Sequence, residues 1–106
     1  MANIGSFKKA GNDFQGEIIT LSLQAKNVRI VPEDHRSNEN APSHRVYVGR
    51  AEIGAAWSKR SEEGRDYLSL KLDDPSFNAP IYANLFGDEE GEGHSLIWSR
   101  PRKSGD

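Results

Sequence analysis

Residues 66–73 read Asp66-Tyr67-Leu68-Ser69-Leu70-Lys71-Leu72-Asp73, and in them three leucines alternate with polar or aromatic side chains. Successive side chains of a β-strand point to opposite faces of the sheet, so a period of two predicts one buried and one exposed face. Residues 80–86 repeat the pattern, with Ile81, Ala83 and Leu85 on the inward side. Both segments therefore predict strands that cover a core with one face and meet water with the other.

The rest of the chain predicts further short strands. Residues 7–14 are typical of a hairpin whose turn lies at residues 11–13, Gly-Asn-Asp. In the run that follows, the alternation predicts that Ile19, Leu21 and Leu23 share one face and that Ile18, Thr20 and Ser22 share the other. Additional strands are predicted at residues 27–31, 45–48, 53–57 and 95–98.

These segments together indicate the fold class. No window shows a sustained helical period, so little or no helix is expected. Six to eight short strands joined by turns predict an all-β fold, either a small antiparallel meander or a partly open barrel. A two-layer sandwich is the alternative. We expect one all-β domain over residues 1–100, a long polar loop at residues 33–43, and a flexible C-terminal tail at residues 101–106.

Composition restricts the chemistry and the compartment. The 106 residues include no cysteine, which excludes disulfides, thiolate zinc sites and thiol nucleophiles. No segment has the apolar length of a signal peptide or a membrane span, so we expect a cytoplasmic protein without a membrane contact.

Charge is distributed unevenly along the chain. The formal net charge is −2. Residues 1–60 have a net charge of +3, whereas residues 61–106 have a net charge of −5 and include an acidic loop before residue 95. A general nucleic-acid binder usually carries a clear basic excess, so this balance favours a protein partner, while the first half can still form a local basic patch.

No motif indicates a catalytic or metal centre. The three histidines, His35, His44 and His94, lack the spacing of metal ligands and are interpreted as solvated or edge residues. Asp73 and Asp74 are consecutive, so on a strand they would point to opposite faces, and we assign them to a turn before Pro75. We therefore predict no enzyme, no cofactor and no metal.

The aromatic residues give the best candidate for a binding surface. If the alternation is right, the tyrosines of residues 66–73 and 80–86 lie opposite the leucines, with Lys71, Asn84 and Phe86 nearby. Trp57 and Trp98 are predicted to face inward. Aromatic rings interleaved with basic residues can stack on unpaired bases or anchor a protein partner. The candidate binding residues are Arg45, Tyr47, Tyr67, Lys71, Tyr82 and Asn84.

Six strings carry a resemblance to a known family: Ile4–Phe7, Phe14–Leu21, Glu52–Trp57, Gly64–Phe77, Ala79–Leu85 and Leu96–Pro101. They closely resemble the domain-of-unknown-function 736 family, in order and over nearly the whole chain. The resemblance implies a small bacterial protein of a kind often encoded on plasmids and mobile elements. It implies no activity and no catalytic residues.

Two functions compete at this point. The first is a non-enzymatic binding module that recognises a protein partner, or its own copy, through a sheet face or an open edge. The alternative is single-stranded nucleic-acid binding by an oligonucleotide-binding-like barrel. In that alternative Tyr47, Tyr67 and Tyr82 would stack on bases, and the backbone would be contacted by Arg29, Arg45, Arg50 and Lys71.

Overall fold

The computed structural model describes residues 2–21, 23–33, 38, 40–87 and 93–98. They form eight β-strands and, in these ranges, no helix. The strands are β1 (Ala2–Ala10), β2 (Asp13–Ile19), β3 (Gln24–Pro32), β4 (His44–Val48), β5 (Ala51–Arg60), β6 (Asp66–Leu72), β7 (Ile81–Gly87) and β8 (Gly93–Trp98). Each strand pairs antiparallel with the next, and β8 pairs with β1, so the meander closes into a barrel. The all-β prediction is confirmed.

The barrel interior is filled by apolar side chains. The three leucines of β6 are buried, as are Ala83 and Leu85 of β7, which confirms the alternation predicted for both strands. Other strands contribute side chains that are almost fully buried, among them Phe7, Ile18, Ile30, Val46 and Leu96. Burying each large apolar side chain contributes roughly 1.5–3 kcal/mol, so this interior is the main source of stability.

The structure shows that the core face of β2 is the one that carries Ile18. Ile18 is fully buried, whereas Ile19 is 48% exposed and Leu21, beyond the strand, is fully exposed. Phe14 and Gly16 pair with the inward-facing residues Ile30 and Val28, and this pairing fixes the even-numbered residues of β2 on the core side. The chain holds apolar residues in both phases here, so the sequence pattern alone could not choose between them.

Trp57 was also predicted on the wrong side. The pairing of β4 with β5 shifts register between Val46 and Tyr47, so β5 carries a bulge at Ile53–Gly54. The bulge adds one residue and reverses the alternation, which places Ala56 in the core and Trp57 on the outer surface. The inward prediction for Trp98 is confirmed, because it packs against the core.

The turns match the predicted chemistry. Gly11 and Gly64 have positive φ angles of 64° and 85°, which glycine adopts without steric cost. Asp74 accepts hydrogen bonds from the backbone and hydroxyl of Ser76, which is the turn role assigned to it. The predicted tail, the acidic loop at residues 88–92 and most of residues 34–39 lie outside the described residues. In the described ranges, no helix exists that could cross a membrane.

Gly54 lets two strands approach closely at the bulge. A Cβ atom at this position would overlap the Lys71 carbonyl oxygen and lie 3.0 Å from Leu72 Cα. A backbone carbonyl cannot rotate away as a flexible side chain can. At Gly11, by contrast, a Cβ would meet no atom within 4 Å, and only its positive φ disfavours a side chain.

We expect Gly54→Ala to lower the free energy of unfolding by roughly 3 kcal/mol, the upper end of overpacking costs, because the strands must separate. Gly11→Ala, the matched control, should cost about 1 kcal/mol through backbone conformation alone. Urea unfolding of both variants measures the difference. Equal losses would show that the close approach at Gly54 is not a stability constraint.

Candidate functional site

The outer surface of β5, β6 and β7 brings together aromatic, amide and basic side chains. Strand pairing aligns Trp57 with Ser69 and Asn84, and Lys71 with Tyr82. Strands lie about 4.8 Å apart and alternate residues about 6.7 Å apart, so these side chains form one contiguous surface. We call this surface the β5–β7 face. It comprises Trp57, Lys59, Tyr67, Ser69, Lys71, Tyr82, Asn84 and Phe86.

Three of its rings differ in how they are held. Tyr67 stacks on Phe86, with ring centroids 5.1 Å apart and an interplanar angle of 30°. The Trp57 indole Nε1–H donates a hydrogen bond of 2.9 Å to the Asn40 carbonyl oxygen. This bond joins β5 to the loop that precedes β4. Tyr82 is 59% exposed. It is therefore the ring most available to a ligand.

A groove runs along one side of this face. It has a volume of about 690 Å³, and its wall includes Trp57, Lys59, Ser69, Lys71 and Tyr82. No carboxylate belongs to the lining among the described residues. The acidic residues of β6 and its flank, Asp66 and Asp73, stand at the two ends of the strand. The described lining therefore carries two positive charges in a chain whose net charge is negative.

Four of the six candidate binding residues lie on this face, namely Tyr67, Lys71, Tyr82 and Asn84. Arg45 stands beside it, because Arg45 pairs with Ala55, which in turn pairs with Lys71. Its guanidinium Nε donates to the Glu33 carboxylate at 2.9 Å, and this hydrogen bond raises the Arg45 pKa. Arg45 is thus neutralised locally rather than directed at the groove.

Tyr47 is not part of the same surface. It pairs with Arg29 of β3 and with Glu52 of β5, beyond the bulge. The Arg29 guanidinium carbon lies 5.7 Å from the centre of its ring, a cation–π contact. Arg29 also donates to the Gly49 carbonyl oxygen at 3.2 Å. The barrel therefore separates Arg29 and Tyr47 from the β5–β7 face.

The two residues that β5 contributes to the face were missed in the sequence. Trp57 was assigned to the core, and Lys59 was not considered. The bulge at Gly54 places both on the outer surface, and the only sequence signal for it was the run of small residues at 54–56. A bulge depends on pairing between strands, so one strand's periodicity does not predict its position.

The histidines also differ from their predicted setting. His44 and His94 both pack against Phe14 at one end of the barrel, with ring centroids 6.2 Å and 4.9 Å from it. The sequence does not show this proximity, because the three residues lie on β2, β4 and β8, which come together only in the closed barrel. His35 lies outside the described residues. Among the described residues, no group of three or more metal-ligating side chains exists.

The comparisons with known proteins identify one family. The model of the family described as "Protein of unknown function (DUF736)" matches residues 3–101. This range includes all but the first residue of the barrel. No curated protein and no solved structure matches the chain.

His44 gives the barrel a pH-dependent stability. Its partial burial lowers its pKa from the usual 6.5, and the carboxylate of Asp13 opposes this only in part. The unfolded chain binds the proton near pH 6.5, before the folded chain does. The free energy of unfolding should therefore fall as pH drops below that value and level off below the folded pKa.

We expect His44→Asn to reduce this loss, because asparagine can still contact the Ser43 hydroxyl, which lies 2.8 Å from His44 Nδ1, but does not titrate. Urea unfolding at about pH 7.5 and about pH 5.5 measures the change. An equal pH dependence in wild type and variant would show that His44 is not its source.

Proposed function

Since the chain belongs to the DUF736 family, whose description assigns no function, we propose its function from its own surface: it is a non-enzymatic module that binds single-stranded nucleic acid with the β5–β7 face. The observation that carries this proposal is the groove in which Trp57 and Tyr82 are flanked by Lys59 and Lys71. Proteins that bind single-stranded nucleic acid without sequence preference combine aromatic rings with a positively charged groove.

For phosphate binding in the groove, the charge of the nearby side chains matters more than the net charge of the chain. Salt screens charges over about 8–10 Å, so a phosphate in the groove responds mainly to the lysines beside it. The described lining holds two lysines and no carboxylate. The net charge of −2, which favoured a protein partner in the sequence, therefore does not describe this surface.

Five side chains of the face have a stated role in this proposal. Tyr82 offers an exposed ring on which a base can stack, at a contribution of about 1–3 kcal/mol. Asn84 and Ser69 stand between the rings and can donate to or accept from base edges. Lys59 and Lys71 neutralise phosphates. Nothing in this arrangement requires a reactive group, a metal or a cofactor.

A protein partner, or a second copy of the chain, is the second candidate for the same face. The observation that favours it is the high exposure of Tyr82 next to Trp57, because tyrosine and tryptophan dominate protein interfaces. Pairing through an open sheet edge is not available to the described residues, because all eight strands have neighbours on both sides. The sheet face remains for both candidates. Both candidates are compatible with the mobile-element setting that the family resemblance implies and with the cytoplasmic location expected from the sequence.

The test is a fluorescence titration with a labelled single-stranded oligonucleotide. We expect Tyr82→Ala to weaken binding roughly 5- to 100-fold, the equivalent of one lost stacking contact. The logarithm of the association constant should fall with the logarithm of salt concentration at a slope of about −1.4, for two neutralised phosphates. Lys71→Gln should reduce the slope by about 0.7.

Tyr47→Ala is the matched control, because Tyr47 is an outer tyrosine on another part of the barrel. It should leave the affinity unchanged. Equal losses in both tyrosine variants would remove the β5–β7 face from the proposal. Absence of binding at low salt would reject nucleic acid, and sedimentation of wild type and Tyr82→Glu would then test self-association through the same face.

A further inference from the structure

One end of the barrel opens into a second cavity, separate in position from the groove. It has a volume of about 530 Å³ and lies where β1, β2, β5, β6, β7 and β8 reach the barrel rim. We call it the mouth. Its lining comprises Lys9, Phe14, Ser58, Lys59, Arg60, Asp66, Tyr67, Leu68, Leu85 and His94.

The inner wall of the mouth is apolar and well defined. Leu68 and Leu85 pair across β6 and β7, are 7% and 2% exposed, and form its floor. Phe14 stands at the side and meets the His94 ring edge-on, with an interplanar angle of 74°. Tyr67 is fixed on its other side by stacking on Phe86. These rigid groups form a preformed pocket suited to a planar apolar body.

A polar group in this wall is unsatisfied. The Nδ1 atom of His94 is enclosed by the protein and has no hydrogen-bond partner among the residues that the structure describes. A buried polar atom left without a partner costs about 1–3 kcal/mol. Gly87 stands beside the ring, where a Cβ would lie 3.6 Å from His94 Nε2. Unsatisfied polar atoms of this kind are uncommon in folded proteins and call for an explanation.

In the described part of the rim, cations outnumber carboxylates. Three cations line it against one carboxylate, and that carboxylate, Asp66, lies 3.4 Å from Arg60 Nε. Lys9 and Lys59 are the remaining cations of the lining. Both are exposed, and both stand beside the apolar wall, Lys9 through its pairing with Phe14. The mouth thus combines an apolar floor with a cationic rim.

We propose that the mouth binds a small organic anion, with its planar apolar body against Phe14, Leu68 and Leu85 and its anionic group held by Lys9 and Lys59. The ligand is a free small molecule, and its site adjoins the nucleic-acid face, with which it shares Lys59 and Tyr67. The cation pair selects for charge, and the floor selects for an apolar ring. The mouth and the groove share only Ser58 and Lys59.

The probe is anilinonaphthalene sulfonate, compared with its neutral parent N-phenylnaphthylamine, in methyl and histidine NMR titrations. The sulfonate should shift the methyl signals of Leu68 and Leu85 and the ring signals of His94. The methyl signals of Ile4 and Ile81 should not move, because these residues line an apolar cavity at the opposite end. The neutral parent should bind roughly tenfold more weakly, the loss expected for one charged contact.

Lys9→Gln should weaken sulfonate binding roughly three- to fivefold. Lys26→Gln is the matched control, an exposed lysine on β3 outside the mouth, and should change nothing. Tyr82→Ala should also leave sulfonate binding intact, which separates this site from the nucleic-acid face. Shifts confined to Ile4 and Ile81, equal affinity for the two probes, equal effects of both lysine variants, or no shift at about 1 mM probe would each overturn the proposal.

Discussion

The pairing of β1 with β8 is the constraint on which the rest of the structure depends. Residues of β1 from Ala2 to Lys8 pair with β8, and this ladder turns a meander into a closed cylinder. Closure gives each strand two neighbours, so every strand has one side toward a single interior. Eight strands enclose a space just wide enough for side chains to fill. Apolar side chains therefore fill the described interior, which leaves the outer surface and the barrel ends as the places where a ligand could be held.

Irregularities in the ladder decide which residues reach those surfaces. Register shifts occur where β1 meets β8, where β2 meets β3, and where β4 meets β5. The shift between β4 and β5 has the largest effect on the candidate site, because it places Trp57 and Lys59 beside Lys71 and Tyr82. Without the added residue, the indole would occupy the interior and the groove would lose one of its walls. The bulge thus shapes the candidate binding surface.

The sequence predicted the parts of this structure that depend on one strand at a time. The alternation of Leu68, Leu70 and Leu72 was sufficient to place Tyr67 and Lys71 outside, and the same holds for Tyr82 and Asn84. It failed where the position of a side chain depends on a partner strand. The phase of Ile18 and Ile19, and the outward position of Trp57, follow from pairing.

The two barrel histidines show the same limit over a longer range. His44 and His94 are fifty residues apart in the chain and become neighbours of Phe14 through three different strands. No local pattern contains that information. The mouth, unlike the β5–β7 face, could therefore be found only in three dimensions.

Ring closure also imposes an order on biosynthesis. A ribosome makes β1 first and β8 last, so the outer edge of β1 has no partner until almost the entire chain has emerged. During that interval its backbone donors and acceptors could template association with another nascent chain. Lys8 lies on this edge opposite Gly93, Lys9 follows it in the strand, and exposed lysines discourage such pairing. The lysines of β1 thus reduce the chance that its open edge pairs with another chain before β8 closes the barrel.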